Sequence, residues 1–229
     1  MLLHQHQVDA LHLPLIGFNK GDEYNAVPLR LSQLKPGDIV FAVSQQAVSY
    51  ANNSLKAQQI QWPQNVTYLA IGESTARKLQ DATQCTVVYP KDREISEHLL
   101  ELAQLQDVSN KQVLILRGNG GRNLVAAELR QQGASVSFCE CYKRCPIEYS
   151  SQYLRDFWRN KAIETIVITS AEMLRLLHQL IIKQQYEALF DCELVTVSER
   201  IASLARDLGW KRIKIADNAD NQSLLSALI

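Results

Sequence analysis

The feature of this sequence that most constrains its fold is an internal repeat with a spacing of 126 residues, the distance from Ser44 to Ser170. The segment IVFAVSQQAV around Ser44 matches TIVITSAEML around Ser170, and YLAIGESTARKL matches LVTVSERIASLA at the same spacing. A third match pairs Ile95–Leu102 with Asn221–Leu228. Because one spacing runs through three separate segments without a gap, the sequence predicts two domains of the same fold.

Within each copy, short apolar strands alternate with amphipathic helices, a pattern typical of α/β units with parallel sheets. The predicted strands are Val8–Leu13, Ile39–Val43, Val66–Ile71, Thr86–Tyr89, Val113–Leu116, Thr165–Ile168, Leu194–Val197 and Arg212–Ala216. The longer predicted helices include Gln45–Ile60, Ile95–Leu105, Ser151–Asn160, Glu172–Tyr186 and Gln222–Leu228. We therefore expect two similar flavodoxin-like, three-layer domains, joined by a two-stranded β linker with a cleft between them.

The repeat also predicts how the chain connects its domains. Shifted back by one repeat, Glu128–Tyr142 falls on Leu2–Ile16, so two extended segments occupy equivalent places at the edges of their domains. The expected parts are a discontinuous α/β domain of residues 1–15 and 146–229, an inserted α/β domain of residues 20–140, and linker strands at residues 14–20 and 140–147.

The same shift places the counterpart of Val113–Ala126 before Met1. The opening residues MLLHQHQ resemble the second half of a helix, and no N-cap residue stands ahead of them. We therefore expect an N-terminal strand to be missing and the natural reading frame to extend upstream. The discontinuous domain should then have four strands at most, an exposed apolar groove and the lower stability of the two.

The most distinctive local pattern is VLILRGNGGR, residues 113–122. Its apolar run predicts a buried parallel strand, and its glycines predict a tight turn into a helix. Backbone N–H groups and the helix dipole make such a turn a site for anions, and Arg117 and Arg122 favour a carboxylate or a phosphate. The spacing fits neither a Walker A loop nor a dinucleotide fingerprint. A turn without a ligand remains the alternative.

Hydroxyl groups follow several other predicted strands, at the edge where parallel sheets bind ligands. Ser44 and Ser170 could contact a ligand there or simply cap the helices that follow. Because no base stands beside them in the sequence pattern, nucleophilic catalysis is not expected. Tyr142, beside Lys143, could donate a proton or orient a leaving hydroxyl group, or it could pack between the domains.

Composition excludes several classes of partner. The chain has 24 Lys and Arg residues against 24 Asp and Glu residues, so no overall field attracts nucleic acid or a membrane. No apolar run reaches the length of a membrane span and no signal-peptide pattern opens the sequence, so we expect a cytoplasmic protein. Five cysteines do not predict a disulfide framework, and their spacing does not predict a metal site.

Taken together, the motifs resemble the uroporphyrinogen-III synthase family over nearly the whole chain. They are FAVSQQAV, AIGESTARKL, LRGNGGR with NLVAAELRQQGASV and YKR, ITSAEMLRLL, and VSERIASLARDLGW. The resemblance implies an enzyme of haem biosynthesis, a hydro-lyase that closes the linear tetrapyrrole hydroxymethylbilane to uroporphyrinogen III. It implies loss of water, inversion of ring D, and no cofactor or metal.

The resemblance also implies a set of site residues. Tyr142 matches the family tyrosine that helps the terminal hydroxyl group leave, and is the expected catalytic residue. The expected substrate-binding residues are Ser44, Gly72, Thr75, Arg117, Gly118, Asn119, Gly120, Arg122, Ser170, Ser198 and Arg200. The expected partner is the small-molecule tetrapyrrole alone, bound by a monomer and handed over by hydroxymethylbilane synthase.

A second interpretation stays open at this point. Two α/β domains around a cleft are also the architecture of non-catalytic receptors, and this chain would then bind a small polyanionic metabolite in the cytoplasm. Supplying hydroxymethylbilane and resolving the uroporphyrinogen isomers would distinguish the receptor from the enzyme.

Overall fold

A computed structural model describes residues 2–91, 99–121, 123–159 and 163–229. The chain forms two compact units. Residues Met1–Gly17 and Pro146–Ile229 form one, here called the discontinuous unit, and Phe18–Cys145 form the other, here called the inserted unit. Much of the predicted helix Ile95–Leu105 lies outside the described residues.

The inserted unit contains a six-stranded sheet with strand order β1-β6-β5-β2-β3-β4. These strands are β1 (Ile16–Lys20), β2 (Ile39–Ala42), β3 (Thr67–Ala70), β4 (Val87–Val88), β5 (Gln112–Gly118) and β6 (Ser135–Pro146). Strands β2 to β6 pair in parallel. The described helices of this unit are Val27–Ser32, Gln45–Ala57, Glu73–Thr83 and Leu124–Gln131.

The centre of this sheet is apolar on both faces. All four residues of β2 are buried, with Val40 and Ala42 in the core on one face and Ile39 and Phe41 in the core on the other. Helix Gln45–Ala57 packs on the first face, and helix Leu124–Gln131 packs on the second. A continuous apolar run is what a strand covered on both faces requires, so the predicted α/β class with parallel sheets is confirmed.

The discontinuous unit contains a three-stranded sheet with strand order β7-β8-β9. These strands, all parallel, are β7 (Thr165–Val167), β8 (Glu193–Thr196) and β9 (Arg212–Ile215). The helices of this unit are Leu2–Gln5, Ser151–Arg159, Ala171–Gln184, Glu199–Asp207 and Asn221–Leu228. Leu154, Leu174, Ile181 and Leu194 are among the fully buried residues of its main core.

The repeat extends to the ends of the helices. Ser44 caps helix Gln45–Ala57 by accepting a hydrogen bond from the Ala47 N–H group, and Ser170 caps helix Ala171–Gln184 in the same way. Past the ends of these two helices, Gln59 and Gln185 adopt left-handed backbone conformations with φ angles of 56° and 57°. The two units therefore share local backbone geometry as well as the alternation of strand and helix.

The predicted strand Val8–Leu13 is wrong, because residues 8–15 form neither helix nor strand and β1 begins only at Ile16. The equivalent residues of the second copy, 135–139, are extended because they pair with β5. A strand needs such a hydrogen-bonded neighbour, and the described part of the chain places no strand beside residues 8–13.

The described residues include no helix that is long and apolar enough to cross a bilayer. All five cysteines are free thiols, and Cys139 and Cys141 are buried. A hydrogen bond with the Cys139 side chain, together with burial, raises the pKa of the Cys141 thiol. Within the described ranges, no group of three or more His, Cys, Asp or Glu residues could ligate a metal ion.

A buried carboxylate connects the starts of three strands in the inserted unit. Asp38 precedes β2, and its Oδ2 atom accepts the Lys35 N–H group at 2.7 Å. Its Oδ1 atom accepts the Gln112 N–H group, at the start of β5, at 2.9 Å. Its backbone carbonyl accepts the Thr67 N–H group, at the start of β3. The carboxylate therefore satisfies two backbone donors through partly buried hydrogen bonds.

We predict that Asp38→Ala lowers the free energy of unfolding by about 2–3 kcal/mol, because two backbone donors lose their acceptor. Urea denaturation followed by circular dichroism measures the change. Asp107→Ala, at an exposed aspartate of the same unit, is the matched control and should change stability by less than about 0.5 kcal/mol. Equal effects of the two substitutions would contradict this role for Asp38.

Candidate functional site

A β-bulge in β6 determines where Tyr142 points. In the pairing of β5 with β6, Arg117 lies opposite Glu140 but Gly118 lies opposite Tyr142, so β6 contains one extra residue, Cys141. Side chains alternate between the faces of a regular strand, and an extra residue interrupts the alternation. Tyr142 consequently joins the same apolar core as Cys141, on the face covered by helix Gln45–Ala57.

This orientation brings together two residues that the sequence predicted for the site. The hydroxyl groups of Ser44 and Tyr142 lie 3.1 Å apart, although 98 positions separate them in the chain. The Ser44 Oγ atom also accepts the Ala47 N–H group at 3.1 Å. Either hydroxyl group could be the donor between Ser44 and Tyr142. Because Ser44 accepts the Ala47 N–H group, its own proton is available for the Tyr142 oxygen, which leaves the phenol proton free. Ser44 therefore caps its helix and also contacts the predicted catalytic tyrosine.

The Tyr142 ring is held by three neighbours. Tyr142 is 8% exposed, and its ring makes an edge contact with Phe18 at 5.6 Å and a tilted contact with Tyr50 at 5.8 Å between ring centroids. On a third side it lies against Gly118, where a Cβ atom would be 2.7 Å from two ring carbons. Glycine is therefore required at position 118 because only a hydrogen atom leaves room for the phenol ring.

Tyr50 and Phe18 were not predicted as site residues. The Tyr50 hydroxyl group donates to the Phe18 carbonyl at 2.7 Å and so connects helix Gln45–Ala57 to β1. Burial, with smaller effects from Cys145 and Tyr24, raises the pKa of Tyr50, so this phenol stays protonated and remains a donor. The sequence signal that could have indicated Tyr50 is its place one turn after Ala47, on the side of the helix that faces the core.

Arg117, which the sequence predicts to bind an anion, is held within the glycine-rich loop. Its side chain is buried, and the guanidinium group lies over the ring of Phe138, at 4.6 Å. Its N–H groups donate, at 2.9–3.2 Å, to Asn123 Oδ1 and to the carbonyls of Gly118, Gly120 and Gly121. The guanidinium group is thus engaged by the loop itself, where a substrate carboxylate was expected.

The glycine-rich loop continues from Arg117 towards helix Leu124–Gln131. Gly120 and Gly121 are exposed and have φ angles of 124° and 116°, which residues with a side chain rarely adopt. Asn119 is exposed, and its Oδ1 atom accepts the Arg144 N–H group at 2.8 Å. Arg122, the second arginine predicted to bind an anion, lies outside the described residues.

Gly72 and Thr75 lie at the same edge of the sheet as Ser44. β3 pairs in parallel with β2, and the Ile71 N–H group donates to the Ala42 carbonyl at 3.1 Å, just past the ends of the two strands. Gly72 is the N-cap residue of helix Glu73–Thr83, and Thr75 is buried in its first turn. The carboxyl ends of β5, β2 and β3 therefore present Gly118, Ser44 and Gly72 in that order.

Three predicted residues belong to the discontinuous unit. Ser170 follows the strand β7 and accepts the Met173 N–H group at 3.2 Å, and Ser198 follows β8 and accepts the Ile201 N–H group at 3.4 Å. Arg200 is exposed in the first turn of helix Glu199–Asp207. Because β7 and β8 are neighbours, these residues share the carboxyl edge of the three-stranded sheet.

The bulged part of β6 is also held from the side of β1. The Gly21 N–H group donates to the Cys141 carbonyl at 3.0 Å, and a Cβ atom at Gly21 would lie 2.0 Å from the Glu140 carbonyl oxygen. The Glu23 carboxylate accepts the Glu140 N–H group at 3.0 Å and pairs with Arg30. A lone glycine after a strand predicts a turn, but the sequence does not show which strand it approaches.

A groove of about 300 Å³ lies in the discontinuous unit, away from the predicted site residues. Apolar side chains such as Leu15, Leu176 and Leu180 line it, together with Lys183. None of the residues predicted for the site contributes to its walls.

Comparison with known proteins gives three consistent matches. The family model described as uroporphyrinogen-III synthase HemD matches residues 1–226. The uroporphyrinogen-III synthase of Escherichia coli (strain K12) is 46% identical over 220 residues, which cover 96% of this chain and 89% of that protein. The uroporphyrinogen-III synthase of Salmonella typhimurium is 47% identical with the same coverage.

Solved structures show the same fold at low sequence identity. Uroporphyrinogen-III synthetase from Helicobacter pylori 26695 matches with a TM-score of 0.61 and 18% identity, over 93% of this chain and 89% of that one. A mutant uroporphyrinogen III synthase from the extremely thermophilic bacterium Thermus thermophilus matches with a TM-score of 0.57 and 19% identity, over 99% of this chain and 92% of that one.

We predict that Gly118→Ala displaces the Tyr142 ring, because the new methyl group would overlap two of its carbons. Unfavourable packing of this kind costs about 1–3 kcal/mol of stability, measurable by urea denaturation. The same alanine in a Tyr142→Ala chain should cost much less, because the ring is absent. Equal costs in the two backgrounds would show that Gly118 is not required for the ring.

Proposed function

Because the chain belongs to the uroporphyrinogen-III synthase family, we propose that it closes hydroxymethylbilane to uroporphyrinogen III with loss of water and inversion of ring D. The observation that supports a mechanism is the contact between the Ser44 and Tyr142 hydroxyl groups at the carboxyl edge of the sheet. Membership of an enzyme family favours a catalytic role over the alternative interpretation, a non-catalytic receptor for a polyanionic metabolite.

The first step is the departure of the terminal hydroxyl group. Tyr142 donates its phenol proton to that oxygen, the carbon–oxygen bond breaks, and water leaves. The lone pair of the adjacent pyrrole nitrogen forms a new double bond to the ring as the carbon–oxygen bond breaks. Loss of the pyrrole N–H proton gives the neutral azafulvene, a strong electrophile, and balances the proton that the phenol donated. Ser44 orients the phenol through the 3.1 Å contact between the two hydroxyl groups.

The second requirement is geometric, because the azafulvene must be attacked by the substituted carbon of ring D. Holding a flexible substrate in one folded conformation supplies this selectivity through orientation. Neither step needs a redox group or a Lewis acid, so we propose a lyase reaction without a cofactor or metal.

The substrate carries several carboxylates that the protein must bind. The exposed loop backbone at Gly120, the hydroxyl group of Thr75, and Arg122 are the groups that we propose for this in the inserted unit. Ser170, Ser198 and Arg200 are the corresponding proposal for the discontinuous unit.

We further propose that a monomer performs this reaction in the cytoplasm. The terminal hydroxymethylpyrrole of the substrate ionises readily, so free hydroxymethylbilane is short-lived. Direct hand-over from hydroxymethylbilane synthase would limit its spontaneous closure.

The deciding experiment supplies hydroxymethylbilane to the purified protein and resolves the uroporphyrinogen isomers by chromatography. We expect isomer III, and we expect dialysis against a metal chelator to leave turnover unchanged. Formation of only the isomer without ring inversion would contradict the proposed function. Loss of turnover after chelation would contradict the absence of a metal.

We predict that Tyr142→Phe lowers kcat by several-fold to about a hundredfold, the usual contribution of a single proton donor. The fold should be retained, because the phenylalanine ring keeps the contacts with Phe18 and Tyr50. Tyr153→Phe, at a 47% exposed tyrosine of the discontinuous unit, is the control and should have the wild-type kcat. A wild-type kcat for Tyr142→Phe would assign Tyr142 to packing alone.

A further inference from the structure

We propose that Asn119 is a positioning residue that holds the bulged end of β6, so that the Tyr142 phenol meets the Ser44 hydroxyl group. The consequence of this positioning for turnover rests on the proposed function, whereas the effect of Asn119 on the geometry of Tyr142 does not. The sequence predicted that Asn119 binds substrate, and the contacts of its side chain support a different role.

Asn119 continues the contact between β5 and β6 beyond the last paired residues. The register of the two strands ends with Gly118 opposite Tyr142. The Asn119 N–H group then donates to the Tyr142 carbonyl at 3.2 Å. The side chain reaches Arg144, where Oδ1 accepts the backbone N–H group at 2.8 Å and Nδ2 makes a longer contact of 3.5 Å with the carbonyl. One residue therefore contacts both ends of the segment 142–144.

This segment needs such contacts because of the bulge that precedes it. From the side of β1, Gly21 and Glu23 hold residues 140 and 141 through the hydrogen bonds described above. An exposed ion pair between Lys143 and Asp22, 3.6 Å apart, contributes little to the geometry of residues 142–144. On the side of β5, Asn119 therefore supplies the contacts just after the bulge, in addition to the hydrogen-bonded pairing of β6 with β1 on its other side.

Arg117 supports Asn119 from inside the loop. Its guanidinium group donates to the Gly118 carbonyl, immediately before Asn119, and to the carbonyls of Gly120 and Gly121, immediately after it. The backbone on both sides of Asn119 is therefore fixed by a buried side chain, which lets an exposed asparagine make contacts of defined geometry.

The test compares Asn119→Ala with Asn119→Asp and with Asn218→Ala, at an exposed asparagine of the discontinuous unit. Tyrosine labelled with ¹³C at the ring Cζ atom reports on Tyr142 by NMR in the ligand-free protein, and a Tyr142→Phe spectrum assigns the signal. We expect Asn119→Ala to shift that signal and to lower kcat roughly ten- to a hundredfold, with a smaller change in KM. Asn119→Asp keeps the acceptor for Arg144 and should restore most of kcat, and Asn218→Ala should match wild type.

A second arm separates positioning from substrate binding. In a Tyr142→Phe chain, adding Asn119→Ala should lower kcat little further, because both changes act through one phenol. An unmoved Tyr142 signal in Asn119→Ala, or an equal loss of kcat in both backgrounds, would overturn the proposal. If wild type forms no uroporphyrinogen III, the proposed function fails, while the NMR arm still decides whether Asn119 positions Tyr142.

Discussion

The extra residue in β6 is the constraint on which the arrangement of the site depends. Without Cys141 as a bulge, the alternation of side chains would point Tyr142 towards the opposite face of the sheet from Ser44. The bulge is possible because Gly21 allows the backbone after β1 to approach β6 closely, and Gly118 leaves room for the Tyr142 ring. These two glycines and one register shift place the phenol within hydrogen-bond distance of the helix cap.

The chemistry of the family reaction agrees with the groups that this arrangement leaves available. Arg117 is engaged inside the loop, and burial keeps the Tyr50 phenol protonated, so neither supplies a strong acid or base. Among the described residues, the edge of the sheet also presents the Tyr142 phenol, the hydroxyl groups of Ser44 and Thr75, and exposed backbone. A substrate that ionises with help from its own ring nitrogen needs little more than a weak proton donor and a defined conformation.

The sequence was sufficient to predict the parallel strands and the residues at their carboxyl ends, because apolar runs and the internal repeat indicate both. It predicted Ser44 and Tyr142 separately, but their contact depends on the register between β5 and β6, which no local pattern encodes. A sequence shows a charge and not its hydrogen-bond partners, so the contacts of the Arg117 guanidinium group with the loop carbonyls could not be predicted. Residues 8–13 have the composition of a strand but lack the neighbour that a strand requires.

Whether Ser44 and Tyr142 act as one unit is tested most directly by a double-mutant cycle of Ser44→Ala and Tyr142→Phe, with the rate of uroporphyrinogen III formation measured in single-turnover experiments. If the two hydroxyl groups act together, the double variant should be little slower than the slower single variant. Multiplicative losses of rate in the double variant would contradict this mechanism, because they would show that Ser44 and Tyr142 act independently.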